Sequence, residues 1–281
     1  MAQQISSSFL AQMNADIKLA YQQFGSKMKN TTYFKTCQGT TMDFKKMGTG
    51  EAAQKSRHGN VPVMNATQTK VTATMADWYA GDYADLLDLE KINHDEKAAI
   101  VRTAVGALGR KVDSLIINQL DDTTNTIGSG GTGLSRPKVL EAMADLMGNG
   151  VPLDGNIFCV VGAHQWAELY NIAEFKSADY VGPNNLPWVR GGEQMKYWMG
   201  IYWYPHNYLP FADGSTAGDR ACFMYHRDAI GYAENSDIRT FIDWVPEKAA
   251  WFVDNMVSGG AILIDEDGVI EIACDDDVAI S

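Results

Sequence analysis

The residues that could do chemistry are few and scattered. Gly-Ser-Gly-Gly-Thr-Gly at 128–133 precedes a helical stretch and could cradle a phosphate with its backbone amides. It lacks the Lys-Ser/Thr pair of a P-loop and the spacing of a dinucleotide fingerprint, so a hinge or linker is expected. Cys222 and His226 stand four residues apart, with His206 nearby in sequence. Strand spacing scatters them, and no second pair completes a zinc set. Asp265, Asp267 and Gly268 form a fragment of a calcium loop whose other ligands are missing, which leaves a hairpin turn as the better account. Trp188, Tyr197, Trp198, Tyr202, Trp203, Tyr204 and Tyr208 could stack nucleic-acid bases. Only Arg190 and Lys196 are interspersed among them, which favours core or subunit contact. His164 has no nucleophile-and-base arrangement around it. These residues argue for no catalysis, no cofactor and no metal.

The elements that must position these side chains are clearer. Asn93 to Leu120 predicts a long helix: Asn93 is a good N-cap, and Glu96 can reach back to its amide. Asp95 and Glu96 sit at the positive end of the helix dipole. Val101, Ala104, Val105, Leu108, Val112, Leu115 and Ile116 recur on one face, while Arg102, Arg110, Lys111 and Asp113 fall mostly elsewhere. Gly106 and Gly109 each cost about 1 kcal/mol relative to Ala, so packing must hold this helix. A helix of this length spans roughly 40 Å and suits the role of a spine. Its apolar face is expected to carry the closing strands between Ile238 and Ala273.

Upstream, Ser6–Phe24 has helical spacing, and Gly25 ends it. Residues 31–75 are Thr-rich and partly alternating around a polar, glycine-rich middle, which predicts a long two-stranded excursion with a mobile tip. Such a hairpin is marginal alone and needs another surface, with a neighbouring copy the natural candidate. After the spine, DDTTNTIGSGGTG reads as a flexible junction. Ser135 then caps a helix with Pro137 in its first turn. Strand-like 156–162, 195–208 and 220–227 and a short helix from Ala163 make 136–226 an inserted α+β unit. Strands at 238–245, 249–253, 261–264 and 269–273 close the chain.

The 281 residues allow one large domain or two modest ones, and 46% hydrophobic with 21% charged residues is ordinary for a folded protein. No run approaches the ~18 apolar residues of a membrane span, so no membrane partner is expected. The N-terminus lacks the pattern of a secretion signal, and Cys37, Cys159, Cys222 and Cys274 form no CxxC pair. Reduced thiols and cytoplasmic synthesis are expected. Net charge is −12, unevenly spread. Residues 1–75 hold nine Lys/Arg against three Asp/Glu, or +6, and the rest holds 14 against 32, or −18. A basic leading quarter and an acidic body attract one another, within a chain or between copies.

The order of parts resembles a known family. The segments WYAGDYADLLDLEKINHDEKAAIVRTAVGALGRKVDSLI, FCVVGAHQWAELYN, CFMYHRDAIGYAEN and VPEKAAWFVDNMVSGGAILIDEDGVIEIAC look like those of the major capsid protein of tailed bacteriophages, a fold shared with encapsulins. The resemblance implies an α+β fold with an N-terminal arm (1–30) and an extended β-hairpin loop (31–75). It further implies a peripheral domain (76–135, spine helix 93–120), an axial domain (136–226) and return strands of the peripheral domain (227–281). It implies hexamers and pentamers closing into an icosahedral virion capsid, assembled in the host cytoplasm around double-stranded DNA contacted non-specifically. A separate scaffolding protein and a portal would be partners. Lys45, Lys46, Lys55 and Arg57 of the extended loop would lie over an acidic neighbour. Asn184, Trp188 and Arg190 would lie in an axial loop near the capsomer centre. An encapsulin-like compartment, or an unrelated α+β binding protein or enzyme, stands as the alternative.

Overall fold

The computed structural model describes residues 25–86, 96–176, 195–212 and 218–278. The expected helix at Ser6–Phe24, the Asn93 cap, and Asn184, Trp188 and Arg190 lie outside these residues. Chain order is β1 (Tyr33–Thr36), β2 (Thr41–Met47), β3 (Gln68–Thr74), β4 (Ala76–Asp85), α1 (Glu96–Asp121), β5 (Thr126–Ile127) and α2 (Arg136–Gly148). There follow β6 (Ile157–Val161), α3 (Ala163–Leu169), α4 (Ala173–Lys176), β7 (Lys196–Trp198), β8 (Ile201–Pro205), β9 (Asp219–His226), β10 (Ile230–Val245), β11 (Ala250–Leu263) and β12 (Val269–Asp275).

Helix α1 is the predicted spine. Leu108, Val112, Ile116 and Leu120 are buried along one stripe, and they pack against β11, β4 and β10. Those strands form a four-stranded sheet in the order β1-β10-β11-β4. The closing strands are longer than the sequence suggests. β10 runs unbroken for 16 residues, roughly 50 Å, and absorbs two register shifts around Ser236. β11 buries Val253, Asn255 and Val257 at alternate positions. Lys97 Nζ lies 3.8 Å from the Trp251 ring centroid and Lys111 Nζ 4.0 Å from that of Trp78, so α1 covers this odd-numbered face. Thr240 donates to buried Asn255 Oδ1 (2.6 Å), and Asn255 Nδ2 donates to the Ala80 carbonyl. One polar side chain on the helix side thereby ties three strands together.

The last strand departs from its expected place. Residues 227–281 were grouped as return strands of one unit, yet β12 leaves β10 and β11 and pairs antiparallel with β9. It belongs to a second sheet, ordered β5-β12-β9-β6-β8-β7. The reason is in its composition. Val269–Cys274 is buried at every position, which suits a strand covered on both faces, whereas β11 alternates. This second sheet, covered by α2 and α3, is the main core. All four cysteines are free and buried, and burial raises the Cys159 thiol well above its ordinary value. None of the described helices is long and apolar enough to cross a membrane.

Three local expectations also change. The stretch 195–208 folds as a tight β7–β8 hairpin, because Met199 (φ 54°) and Gly200 (φ 78°) both adopt the left-handed turn conformation. Ser135 precedes α2 with extended geometry but makes no side-chain cap hydrogen bond. The junction 128–134 is a built turn. Gly130 and Gly131 have positive φ, and the buried Glu168 carboxylate accepts from the Leu134 amide (2.6 Å). A Cβ on Gly133 would collide with that carboxylate.

Candidate assembly surface

The residues weighed for metal or nucleic-acid chemistry are dispersed. Cys222 is in the core of the second sheet. His226 Nε2 meets Asp154 at 3.1 Å, and His206 Nε2 meets Asp113 at 3.2 Å. Asp265 accepts from the Asp267 amide in a 3-10 turn over Glu266–Gly268. Trp198, Trp203 and Tyr204 are core, while Tyr197 and Tyr208 are exposed. Among the described residues, no three His, Cys, Asp or Glu side chains converge on one point.

What the fold presents instead is a pair of arms. The first is the β2–β3 hairpin, paired from Thr41↔Thr74 to Met47↔Gln68. Its base is anchored by Phe44, which is buried against Gly231, where a Cβ would meet the ring at 2.8 Å. Tyr33 packs edge-on against Phe44, and Cys37, Ala73 and Ala233 complete a small satellite core. Beyond Phe44 the hairpin leaves the body. Residues 48–67 carry no regular structure apart from a turn, and Val61, Val63 and Met64 are exposed at 72%, 77% and 57%.

The loop cations are therefore spread along this arm. Lys45 is exposed and lies across from Lys70 on the face where Asp43 accepts from Thr72 and Lys70. Those two hydrogen bonds hold the Asp43 carboxyl below its ordinary value. Lys55 and Arg57 are exposed near the tip. Lys46 points the other way and pairs within its own chain, its Nζ 2.5 Å from Asp265 Oδ1.

The second arm is the distal half of the first sheet, whose outer face was not anticipated. β10 is exposed from Arg239 through Trp244. Registers Tyr83↔Phe252, Gly81↔Asp254, Tyr79↔Met256 and Asp243↔Phe252 place Tyr79, Tyr83, Phe241, Phe252 and Met256 on the side away from α1. The Tyr83 and Phe252 rings are 4.7 Å apart, and Lys248 Nζ lies 3.8 Å from the Tyr83 centroid. Phe252 lies over Gly81, where a Cβ would come within 2.7 Å of the ring. Asp85, Asp243 and Asp254 share this face, which is thus aromatic and acidic at once. A period-two reading of Asp77–Asp85 could have found it, since Tyr79, Gly81 and Tyr83 alternate there.

A third feature fixes the start of the described chain. Asp113, placed by sequence mostly off the buried face, is wholly buried. Its carboxylate accepts from Ser26 Oγ (2.5 Å), the Lys27 amide and the Met28 amide (both 3.1 Å). Met28 is driven into the core beside it. Gly25 (φ +72°) crosses α1 at Gly109, where a Cβ would sit 2.3 Å from the Gly25 carbonyl carbon. The two glycines that cost the helix and the arm their propensity permit this crossing.

Solved structures share this double-sheet fold with its projecting hairpin. The chain is similar to the capsid protein of the cyanophage P-SCSP1u, with a TM-score of 0.70 at 14% identity over 92% of this chain and 90% of that one. It is similar to the capsid of a native GTA particle, with a TM-score of 0.68 at 12% identity over 98% and 100%. It is also similar to the capsid of Ralstonia phage GP4, with a TM-score of 0.66 at 13% identity over 94% and 96%. No curated sequence matches the chain. The chain belongs to the phage capsid protein family, whose model matches residues 5–276. It is a structural protein of the phage capsid.

Proposed function

We propose that copies of this chain form hexamers and pentamers that close into an icosahedral shell around double-stranded DNA, and that the chain has no enzymatic activity. In this reading the mature protein resides in the virion and assembles in the host cytoplasm with a separate scaffolding protein and a portal. Residues 76–135 with most of 227–281 act as the peripheral domain and 136–226 as the axial domain, with β12 crossing from one to the other. We assign Asn184, Trp188 and Arg190 to an axial loop near the capsomer centre.

The observation that carries the proposal is the hairpin. A 20-residue tip (48–67) exposes Val61, Val63 and Met64. Contiguous exposed apolar residues on an otherwise well-packed protein mark association sites. The outer face of β4, β10 and β11 offers aromatic area and carboxylates that match a basic, apolar loop. We therefore assign Lys45, Lys55 and Arg57 to contact with that face of a neighbouring copy.

The test is assembly itself. The protein, alone and with its scaffold, is examined by electron microscopy and sedimentation. Closed shells or capsomers are expected. A strictly monomeric species under both conditions, with a protease-resistant 48–67 segment, overturns the proposal.

A further inference from the structure

The Lys46–Asp265 ion pair lies where a loop built to reach a neighbour would not be expected to bind its own body. The hairpin is fixed at Phe44 and free at its tip, so the two anchoring points along β2 have different character. Phe44 is a buried apolar pivot: its ring lies over Gly231 beside Ile264 and packs edge-on against the Tyr33 ring. Two residues further on, the hairpin stands off from the body across an open cleft of about 470 Å³. Lys46, Met47 and Thr49 line the hairpin side, and Asp228, Asp265 and Asp267 line the body side. The Lys46 ammonium spans that cleft to Asp265 at 2.5 Å. Both partners are about one-third exposed. Asp265 is itself held in place, because its carboxylate accepts from the Asp267 amide and its own amide donates to the Ala229 carbonyl.

We propose that this pair is a salt-labile latch that holds the hairpin folded toward its own body, with Phe44 as the pivot on which it swings. Closed, the latch keeps Lys46 occupied and the acidic wall of the cleft covered. Open, it frees Lys46 together with Asp228, Asp265 and Asp267 for contact with a second copy; this last clause rests on the shell reading above. An exposed pair of this kind favours its closed state only roughly 1.5- to 5-fold. Such a ratio is small enough for ionic strength or a single charged contact from a neighbour to reverse. The strand geometry supports the division of labour. Lys45 and Lys46 point to opposite faces of β2, so Lys45 is available for the neighbour while Lys46 is latched.

The experiment measures the swing in the intact chain before any assembly. Gln54→Cys and Asp145→Cys, both at exposed positions, receive spin labels. The four native cysteines are buried and stay unlabelled. Dilution with unlabelled protein suppresses distances between chains. The latch predicts a major closed distance and a minor open one at low salt, in a ratio of roughly 1.5–5 to 1, with the open share rising at 0.5 M NaCl, where the Debye length falls to roughly 4 Å, or in Asp265→Asn. The double reversal Lys46→Glu with Asp265→Lys restores the wild-type distribution at low salt. Distributions that do not respond to salt or to Asp265→Asn overturn the latch, as does a wild type in which the open distance already predominates at low salt. Sedimentation of the same variants then reads the regulatory consequence. If the distances shift and the rate of assembly does not, the latch has no role in assembly. Failure of the wild type to assemble at all rejects the shell reading and leaves the distance result standing.

Discussion

Replacing Gly109 with Ala sets intrinsic preference against tertiary fit. In an isolated helix the change stabilises by about 1 kcal/mol, because Ala loses less backbone freedom than Gly. In this fold the added Cβ would sit 2.3–2.7 Å from the carbonyl carbon, oxygen and Cα of Gly25. Those are backbone atoms, held by the bonds from Ser26, Lys27 and Met28 to Asp113, so no rotamer change relieves the clash. Overpacking of this kind costs about 1–3 kcal/mol, which outweighs the helix gain and leaves a net loss of up to about 2 kcal/mol. Gly148 in α2 is the internal control, since a Cβ there meets nothing within 4 Å. Gly148→Ala should be neutral or stabilising by up to about 0.5–1 kcal/mol. Urea unfolding followed by tryptophan fluorescence compares the two midpoints, and limited trypsin digestion reads the arm directly at Lys27 and Lys29. The expected result is opposite signs, with faster cleavage at those lysines in Gly109→Ala alone. A Gly109→Ala midpoint raised as much as that of Gly148→Ala, with unchanged cleavage, would refute the close-crossing account.

Other outcomes follow from the same geometry. Asp113→Asn keeps the shape but turns an amide donor toward donors, and should destabilise by about 2–4 kcal/mol in the same unfolding assay, with trypsin cleavage again at Lys27 and Lys29. Asp154 is held down to about 2, first by the Asn156 side-chain and backbone bonds and then by His226, so its stabilisation is complete above 3.8 and lost as pH falls through about 2. Asp154→Asn should therefore flatten the acid limb of the stability profile in that window, by a small amount because the carboxyl is exposed. Charge reversal of Lys45, Lys55 and Arg57 together should slow assembly several-fold at low salt and little at high salt, with the unfolding midpoint of the monomer unchanged; light scattering across a salt series measures it.

The spine, the extended hairpin and the closing strands were legible because each has a local signature. The apolar residues of α1 repeat at helical spacing, and β2 and β3 alternate around a glycine-rich middle. The fate of β12 was harder to read. Val269–Cys274 looks like the other closing strands in composition, and only its lack of alternation separates a doubly covered strand from a half-covered one. Asp113 was placed by helical wheel off the buried face, because its reason for being buried lies 86 residues away, in backbone amides that no periodicity encodes. Gly109 was legible as a cost but not as a crossing. Glu168 and Gly133 turned an apparent linker into a fixed turn through a side chain 35 residues downstream. Long-range polar contacts of this kind leave no pattern within a sequence window.

The distribution of unburied apolar side chains argues for where cohesion in the shell resides. The central strands of the second sheet are buried on both faces, and their aromatic residues Trp203, Tyr204, Phe223 and Tyr225 are spent on the subunit's own stability. Exposed ones stand on the elements that project, with Val61, Val63 and Met64 at the hairpin tip and Tyr79, Tyr83, Phe241, Ile242 and Trp244 on the long ribbon, and a further set (Tyr197, Tyr208 and Phe211 among them) stands on the body. Burying a side chain of this size contributes roughly 1.5–3 kcal/mol, so a few such residues at each contact suffice for association once many contacts repeat around a closed shell. Single ion pairs at the surface contribute an order of magnitude less than the sum of those burials. In the proposed assembly the apolar tip and ribbon set how strongly copies adhere, while the Lys46–Asp265 pair sets when the hairpin is free to engage.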